Sequence, residues 1–397
     1  MLSIIEILLI LVGIVLALPV LTLFLQVAIA LPALPAPKTP ESRRPRIAVL
    51  VPAHDEQQVI AETLASISGQ LQATDRLVVV ADNCSDQTSD IARKSGAEVT
   101  IRTDPILQGK GYALDHGLQF LEQTGIPEVV VVVDADCQLN DGCIDRLARL
   151  TVLSMRPTQA AYLMNRPRSP QNMASLVSFA WKIKDLVRPL GWHRLNLPCQ
   201  LAGSGMAFPW EVLRSINLAS GYLVEDLKLG LDLALNGKFP LFCPEAVVTS
   251  NVAAGGSPSY SQRSRWEHGS IQTMIIYLPR LFIGFCKAPD LRLIAMAMDL
   301  SIPPLALLAL ALSSHLAITL LFFLVSGISV PVVVTSVICS LFFVSIVLAW
   351  WRYEREFLPL GWLVVAPIYA IKKIPLYIRF FTDRQRKWIK GDRERRG

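Results

Sequence analysis

None of the seven cysteines forms a C-x-x-C pair, so the chain carries neither a zinc framework nor a disulfide scaffold, and reduced thiols fit better. No G-x-G-x-x-G follows the first β-rich run, and no G-x-x-x-x-G-K-[ST] occurs anywhere. GKGYALDHG (109–117) matches neither spacing, which removes the usual support for dinucleotide and P-loop readings. The middle of the chain has no basic–aromatic patch, which argues against nucleic acid as a partner. Charge is scarce: 18% of residues are charged against 52% hydrophobic.

The apolar residues are blocked. Residues 7–32, 300–325 and 327–350 contain no Asp, Glu, Lys or Arg, and each run exceeds the roughly 20 residues that cross a bilayer. AIALPA near residue 30 mimics a signal-peptide cleavage site. However, Glu6 stands where a leader carries positive charge, and the apolar core is too long, so an uncleaved anchor over 1–34 is expected. Lys38, Arg43, Arg44 and Arg46 follow the anchor, and the positive-inside rule then puts the large middle region in the cytosol. The uncharged hairpin SGISV (326–330) faces outward on the same reading. A fourth run, 357–371, is expected to be re-entrant or interfacial, because a further span would put the ten basic residues found from Lys372 onward on the wrong side. That tail, 377–397 in the main, suits anionic headgroups of the cytosolic leaflet.

After a proline-rich linker (35–45), short β-rich runs alternate with helical patterns. Strands are expected at 46–53, 76–82, 97–102 and 129–133, and helices at 57–70, 86–95 and 110–123. This alternation predicts an α/β domain over 46–267, a mostly parallel sheet with helices on both faces. A further helix is expected over 225–236, ending at Gly237. Ile271, Met274, Ile275, Leu278, Phe282 and Phe285 recur at helical spacing, which predicts interfacial amphipathic helices within 268–290, with a core helix as the rival. Pro279 leaves one helix or two equally open. Transmembrane and interfacial helices fill 291–376.

VVVVVDADC (129–137) is the most informative stretch. Unbroken valine marks a strand buried on both faces, and open α/β sheets bind ligands beyond the carboxyl ends of such strands. Asp134 and Asp136 therefore concentrate negative charge where a ligand binds, which calls for something cationic between them. Three other stretches stand at comparable places: ADNCSD (81–86) after the second strand, VEDL (224–227) opening a helix, and QRSRW (262–266) before the next apolar stretch.

In this order, beside apolar spans, the four stretches resemble the membrane-integrated family-2 glycosyltransferases, the group of the cellulose, hyaluronan, chitin-oligosaccharide and poly-N-acetylglucosamine synthases. The likeness runs over about residues 44–290. It implies a GT-A-like fold and a nucleotide-sugar donor, in the first instance a UDP-sugar. Asp134 and Asp136 are hard oxygen ligands suited to Mg²⁺ or Mn²⁺, which favour bridging phosphate oxygens, and the resemblance makes Asp136 the direct ligand. It places Pro52, His54 and Glu56 of PAHDE around the uridine and Asp82 on the uracil ring, with Asn83 where many relatives carry a second acid. Helix capping by Asp82, Ser85 or Asp86 is the rival reading. Lys110 faces the diphosphate or is an ordinary loop lysine.

Asp226, with Glu225 beside it, is the expected general base, because direct displacement at the anomeric carbon needs the acceptor hydroxyl deprotonated as it attacks. Capping of the helix by the same two acids is compatible with this. Gly203, Ser204 and Gly205 of AGSGMAF resemble the loop under the acceptor. In QRSRW, Gln262 and Arg265 suit the diphosphate, and Trp266 offers a flat face to a sugar ring.

The expected activity is inverting, metal-dependent transfer to a growing polysaccharide at the cytosolic face of a bacterial inner or plasma membrane. Three spans make a thin wall for a polymer, so an oligomer or an accessory export subunit is implied. Single-sugar transfer to a membrane lipid, as in ceramide glucosyltransferases, is the first alternative. A non-catalytic nucleotide-sugar-binding subunit is the second, and the presence of Asp134, Asp136 and Asp226 together weighs against it.

Overall fold

The apolar runs of the middle region pair into one eight-stranded sheet in the computed structural model, which describes residues 2–33, 42–165, 173–219, 221–250 and 260–382. The strands are β1 (Ile47–Ala53), β2 (Arg76–Asp82), β3 (Glu98–Arg102), β4 (Val129–Val132), β5 (Cys137–Leu139), β6 (Thr158–Met164), β7 (Met206–Pro209) and β8 (Leu241–Ser250). Their order is β3-β2-β1-β4-β7-β6-β8-β5. β1 to β4 are parallel neighbours, as the alternation predicts. β7 then enters antiparallel to both β4 and β6, β6 runs parallel to β8, and β5 closes the edge antiparallel to β8. The sheet is thus mixed beyond β4. Most of the expected linker (34–41), the tail from 383 onward and the side chain of Gln262 lie outside the described residues.

The valine strand shows why a continuous apolar run forms here. Side chains alternate across a strand, and Val130 and Val132 join Ala48, Leu50, Val78 and Val80 on one face, against Leu114 and Leu118 of the helix Lys110–Thr124 and Leu229 and Leu233 of the helix Glu225–Leu235. Ile47, Val49, Val51, Val79, Val129 and Val131 project the other way and are also fully buried. Burying each such side chain is worth about 1.5–3 kcal/mol, so one polar substitution in the run would cost a large part of a domain's net stability. This rigid centre ends where the candidate site begins.

The chain forms two compact units, the sheet unit built from the described parts of 34–165 and 197–269, and a helical unit built from those of 1–33, 166–196 and 270–385. Residues 173–194 lie inside the span read from sequence as one α/β domain, yet their helices belong to the helical unit. Polar contacts tie them to it. Arg188 donates to the Asp299 carboxylate (2.9 Å) and to the Asp299 carbonyl (2.7 Å), and Gln26 donates to the same carboxylate at 2.7 Å. Lys182 pairs with Glu354. Arg194, Arg352 and Tyr353 donate to the last carbonyls of the helix Leu2–Ala30 and its exit, which a helix end otherwise leaves unsatisfied.

Among the described residues, five helical segments are long and apolar enough to cross a membrane: Ile4–Ala30, Ser264–Lys287, Leu305–Ser326, Val330–Tyr353 and Leu360–Thr382. Pro279 lies inside a single helix, Tyr260–Lys287. The run expected to be re-entrant, 357–371, is broken into Leu360–Val365 and the helix Ala366–Lys372, and Ile374–Thr382 follows it.

Candidate active site

The acidic turn at the end of β4 is held from three sides. The Asp134 amide donates to Ser204 Oγ (3.1 Å), Thr63 Oγ1 donates to the Ala135 carbonyl (2.8 Å), and the Gly205 amide donates to the Val132 carbonyl (3.0 Å). Gln159 holds the opposing loop: its Nε2 donates to the Ser204 carbonyl and its Oε1 accepts from the Ala202 amide, at 2.9 and 2.8 Å. A buried glutamine on a strand gives no sequence signal of this role, and neither Gln159 nor Thr63 is legible as a site residue.

Lys110 begins the helix Lys110–Thr124, directly after Gly109. Its ammonium donates to the Asp134 carboxylate and to the Gly203 carbonyl (2.6 Å). Gly203 and Gly205 have φ of +92° and +68°, a region that side chains rarely adopt. A Cβ on Gly203 would stand 3.0 Å from Asp226 Oδ2 and 3.8 Å from Lys110 Nζ. Four of the sequence-predicted residues, Lys110, Asp134, Gly203 and Asp226, are therefore brought together. Lys110, Glu225 and Asp226 also line a pocket with Leu114, Asn217 and Lys228.

The electrostatics follow from this crowding. Burial opposes the Lys110 charge, but the carboxylates of Asp134, Glu225 and Asp226 outweigh it, and the ammonium is held above its ordinary range. Glu225 is pushed up to about 7, first by burial and then by the charge of Asp226, against the pull of Lys110 and Arg265. Arg265 thus lies within electrostatic reach of Glu225. Trp266 is half-buried on the same helix.

Asp134, Asp136 and Cys137 offer ligand atoms within 4.8 Å of one another. The Cys137 thiol donates toward Asp136 Oδ1 (3.6 Å), and burial holds it protonated, well above the usual thiol range. Two carboxylates then remain, a donor set that fits Mg²⁺ or Mn²⁺ with phosphate oxygens completing the shell. Asp55, Cys84 and Asp86 make a second such group. Its carboxylates accept from the Ser85, Gln57 and Thr88 amides at 2.6, 3.1 and 2.9 Å, and burial pushes the Cys84 thiol up to about 11. Turn capping accounts for that group.

The remaining predicted residues gather at the carboxyl ends of β1 to β3. His54 Nδ1 lies 2.7 Å from the Asp82 carbonyl, and the Glu56 amide donates to Thr88 Oγ1 at 2.7 Å. Pro52 sits in β1 opposite Val80. The β2–β3 register sets Asp82 beside Arg102, whose guanidinium donates to Asp82 Oδ1 at 2.7 Å, and Asn83 Nδ2 donates to the same oxygen at 3.0 Å. Arg102 also stacks over Tyr112 at 5.5 Å. Sequence reading misses Arg102, because only the register brings it to Asp82.

Residues 45–269 match the profile of Glycosyltransferase like family 2. "Probable glycosyltransferase YdaM" of Bacillus subtilis is 25% identical over 255 residues, 60% of this chain and 58% of that protein. "Uncharacterized protein MJ1222" of Methanocaldococcus jannaschii is 30% identical over 109 residues, 28% of this chain and 43% of that one. The match thus spans about half the length of these two relatives. Among solved structures, the mannosyltransferase PcManGT from Pyrobaculum calidifontis, in complex with GDP-Man and Mn²⁺, superposes with a TM-score of 0.54 at 17% identity, over 89% of this chain and all of that one. The likeness is one of fold, a GT-A-like mixed α/β sheet accompanied by apolar helices.

Proposed function

This chain belongs to Glycosyltransferase like family 2, and on that premise we propose that it moves sugars from a nucleotide-sugar, a UDP-sugar first among them, to a growing polysaccharide at the cytosolic face of a membrane, with inversion at the anomeric carbon. The observation that carries the reading is the convergence of Lys110, Asp134, Gly203 and Asp226 at the end of the buried β4 strand.

Asp134 and Asp136 would hold the divalent cation, Mg²⁺ or Mn²⁺, which when bound supplies Lewis-acid neutralisation of the leaving diphosphate. The shared fold with a mannosyltransferase described with GDP-Man and Mn²⁺ supports a metal-dependent nucleotide-sugar reaction. Pro52, His54, Glu56 and Asp82 line the base end. Asp226 takes the proton of the acceptor hydroxyl as that oxygen bonds to the anomeric carbon and the bond to the diphosphate breaks on the opposite face. Glu225 stands beside it in the first turn of the same helix. Gly203, Ser204 and Gly205 leave room for the acceptor, with Gln262 and Arg265 toward the diphosphate and Trp266 as a stacking face. The five apolar segments support an integral membrane protein.

Membranes containing the full chain, given labelled UDP-glucose, UDP-N-acetylglucosamine, UDP-galactose or GDP-mannose with Mn²⁺, should yield a long product from one UDP-sugar. A single sugar on an organic-soluble lipid would replace the polysaccharide acceptor with a lipid. Turnover of GDP-mannose alone would overturn the choice of donor.

A further inference from the structure

Lys110 stands where a cation is wanted. Its side chain is 17% exposed, and its ammonium contacts the Asp134 carboxylate and the Gly203 carbonyl, with the Glu225 and Asp226 carboxylates close enough to add to its charge. A monovalent donor thus neutralises one of the two carboxylates assigned above to a divalent ion. Two cations cannot both contact Asp134 without strong mutual repulsion, which the low dielectric of a largely buried site strengthens. The lysine can leave: it sits at the first turn of its helix, after Gly109 at φ +132°, on a flexible four-carbon stem. The diphosphate of a donor is the one reactant group whose charge would attract an ammonium away from a carboxylate.

We propose that Lys110 is a resident counter-ion that occupies Asp134 until a nucleotide diphosphate draws it off, so that donor and divalent cation bind with positive coupling. The inference rests on the assignment of Asp134 and Asp136 as metal ligands. Lys110 is in this sense a gate on metal binding. Its contact to the Gly203 carbonyl extends that gate to the acceptor loop, so the loop is tied to the metal ligand before the donor arrives and to the donor afterwards.

The test is Mn²⁺ binding to the detergent-solubilised full chain, read from the electron paramagnetic resonance signal of free Mn²⁺, with and without UDP. In the wild type, UDP should tighten Mn²⁺ binding. Lys110→Met should bind Mn²⁺ without UDP about tenfold more tightly than the wild type, within the usual range of coupling between sites, and should gain less from UDP. Lys228→Met is the charge control: Lys228 lines the same pocket but pairs with Asp232 at 2.6 Å, and its loss should change Mn²⁺ affinity far less. Equal Mn²⁺ affinity in Lys110→Met and the wild type, or equal gains in Lys110→Met and Lys228→Met, overturns the proposal. If Lys110→Met does not fold, the wild type still decides, because Mn²⁺ binding that ignores UDP overturns it. Asp136→Ala separates the two levels. Unchanged Mn²⁺ binding there removes the metal site itself, whereas its loss there with no effect of Lys110→Met removes only the gate.

Discussion

Gly203 lies against Asp226 so closely that a Cβ on its backbone would stand 3.0 Å from the carboxylate, in a conformation with φ of +92°. The loop and the proposed base are therefore fitted to each other with no room for a side chain. Gly203→Ala should displace Asp226 or the Lys110 contact, and strain of about 1–3 kcal/mol is expected from the backbone alone. A misplacement of this kind costs on the order of a hundredfold in turnover. Steady-state kinetics should show that loss, with a Tm only a few degrees lower.

Glu225 and Asp226 share one half-buried corner, and the consequence is a pH dependence of stability. Burial and the Asp226 charge raise Glu225 from 4.5 to about 7. The folded state then holds the Glu225 proton more tightly than the unfolded chain does. Its stabilising contribution is complete below pH 4.5 and is lost as pH rises through 7. The Tm of the wild type minus that of Glu225→Gln should therefore fall as pH is raised across this window. A difference that stays flat would contradict it.

Asp82 and Arg102 form a largely buried pair at the proposed base end, 2.7 Å apart. Arg102→Met removes the counter-charge and leaves the carboxylate to repel a diphosphate. The KM for the nucleotide-sugar should rise about tenfold with kcat little changed, the signature of lost uniform binding. A fall in kcat at constant KM would place Arg102 at the transfer chemistry instead.

Arg188 and Asp299 are both buried in the helical unit, with Gln26 as a third member. Removing one partner of such a pair costs about 3–5 kcal/mol, because a buried charge is left unpaired. Arg188→Met should sharply lower the unfolding midpoint in detergent, and the double variant Arg188→Met with Asp299→Leu should recover most of it.

The parts of this molecule that sequence reveals are those where one residue type repeats or where a spacing is fixed by local geometry. Five valines before Asp134 define a strand buried on both faces, and strand β2 runs from Arg76 to Asp82, as its β-rich run predicts. Long-range pairing is different. Arg102 reaches Asp82 only through parallel register, and Gln159 reaches the 202–204 loop only because β6 and β7 are antiparallel neighbours. Residues 173–194 are comparably misleading, since their apolar residues suit any core, and the partners of Lys182, Arg188 and Arg194 lie more than a hundred positions away. Pro279 leaves one helix or two equally open in the sequence, and the helix Tyr260–Lys287 continues through it.

Asp226 carries the central claim, and turnover by Asp226→Asn tests it most directly. Purified full-length wild type and variant would be assayed for nucleotide release with donor, Mn²⁺ and acceptor, beside UDP binding to each. Loss of a positioned base lowers the rate by about 10²–10⁴-fold, so the variant should bind UDP as the wild type does and turn over at background. Undiminished release from Asp226→Asn would show that the proton goes elsewhere and would contradict the account.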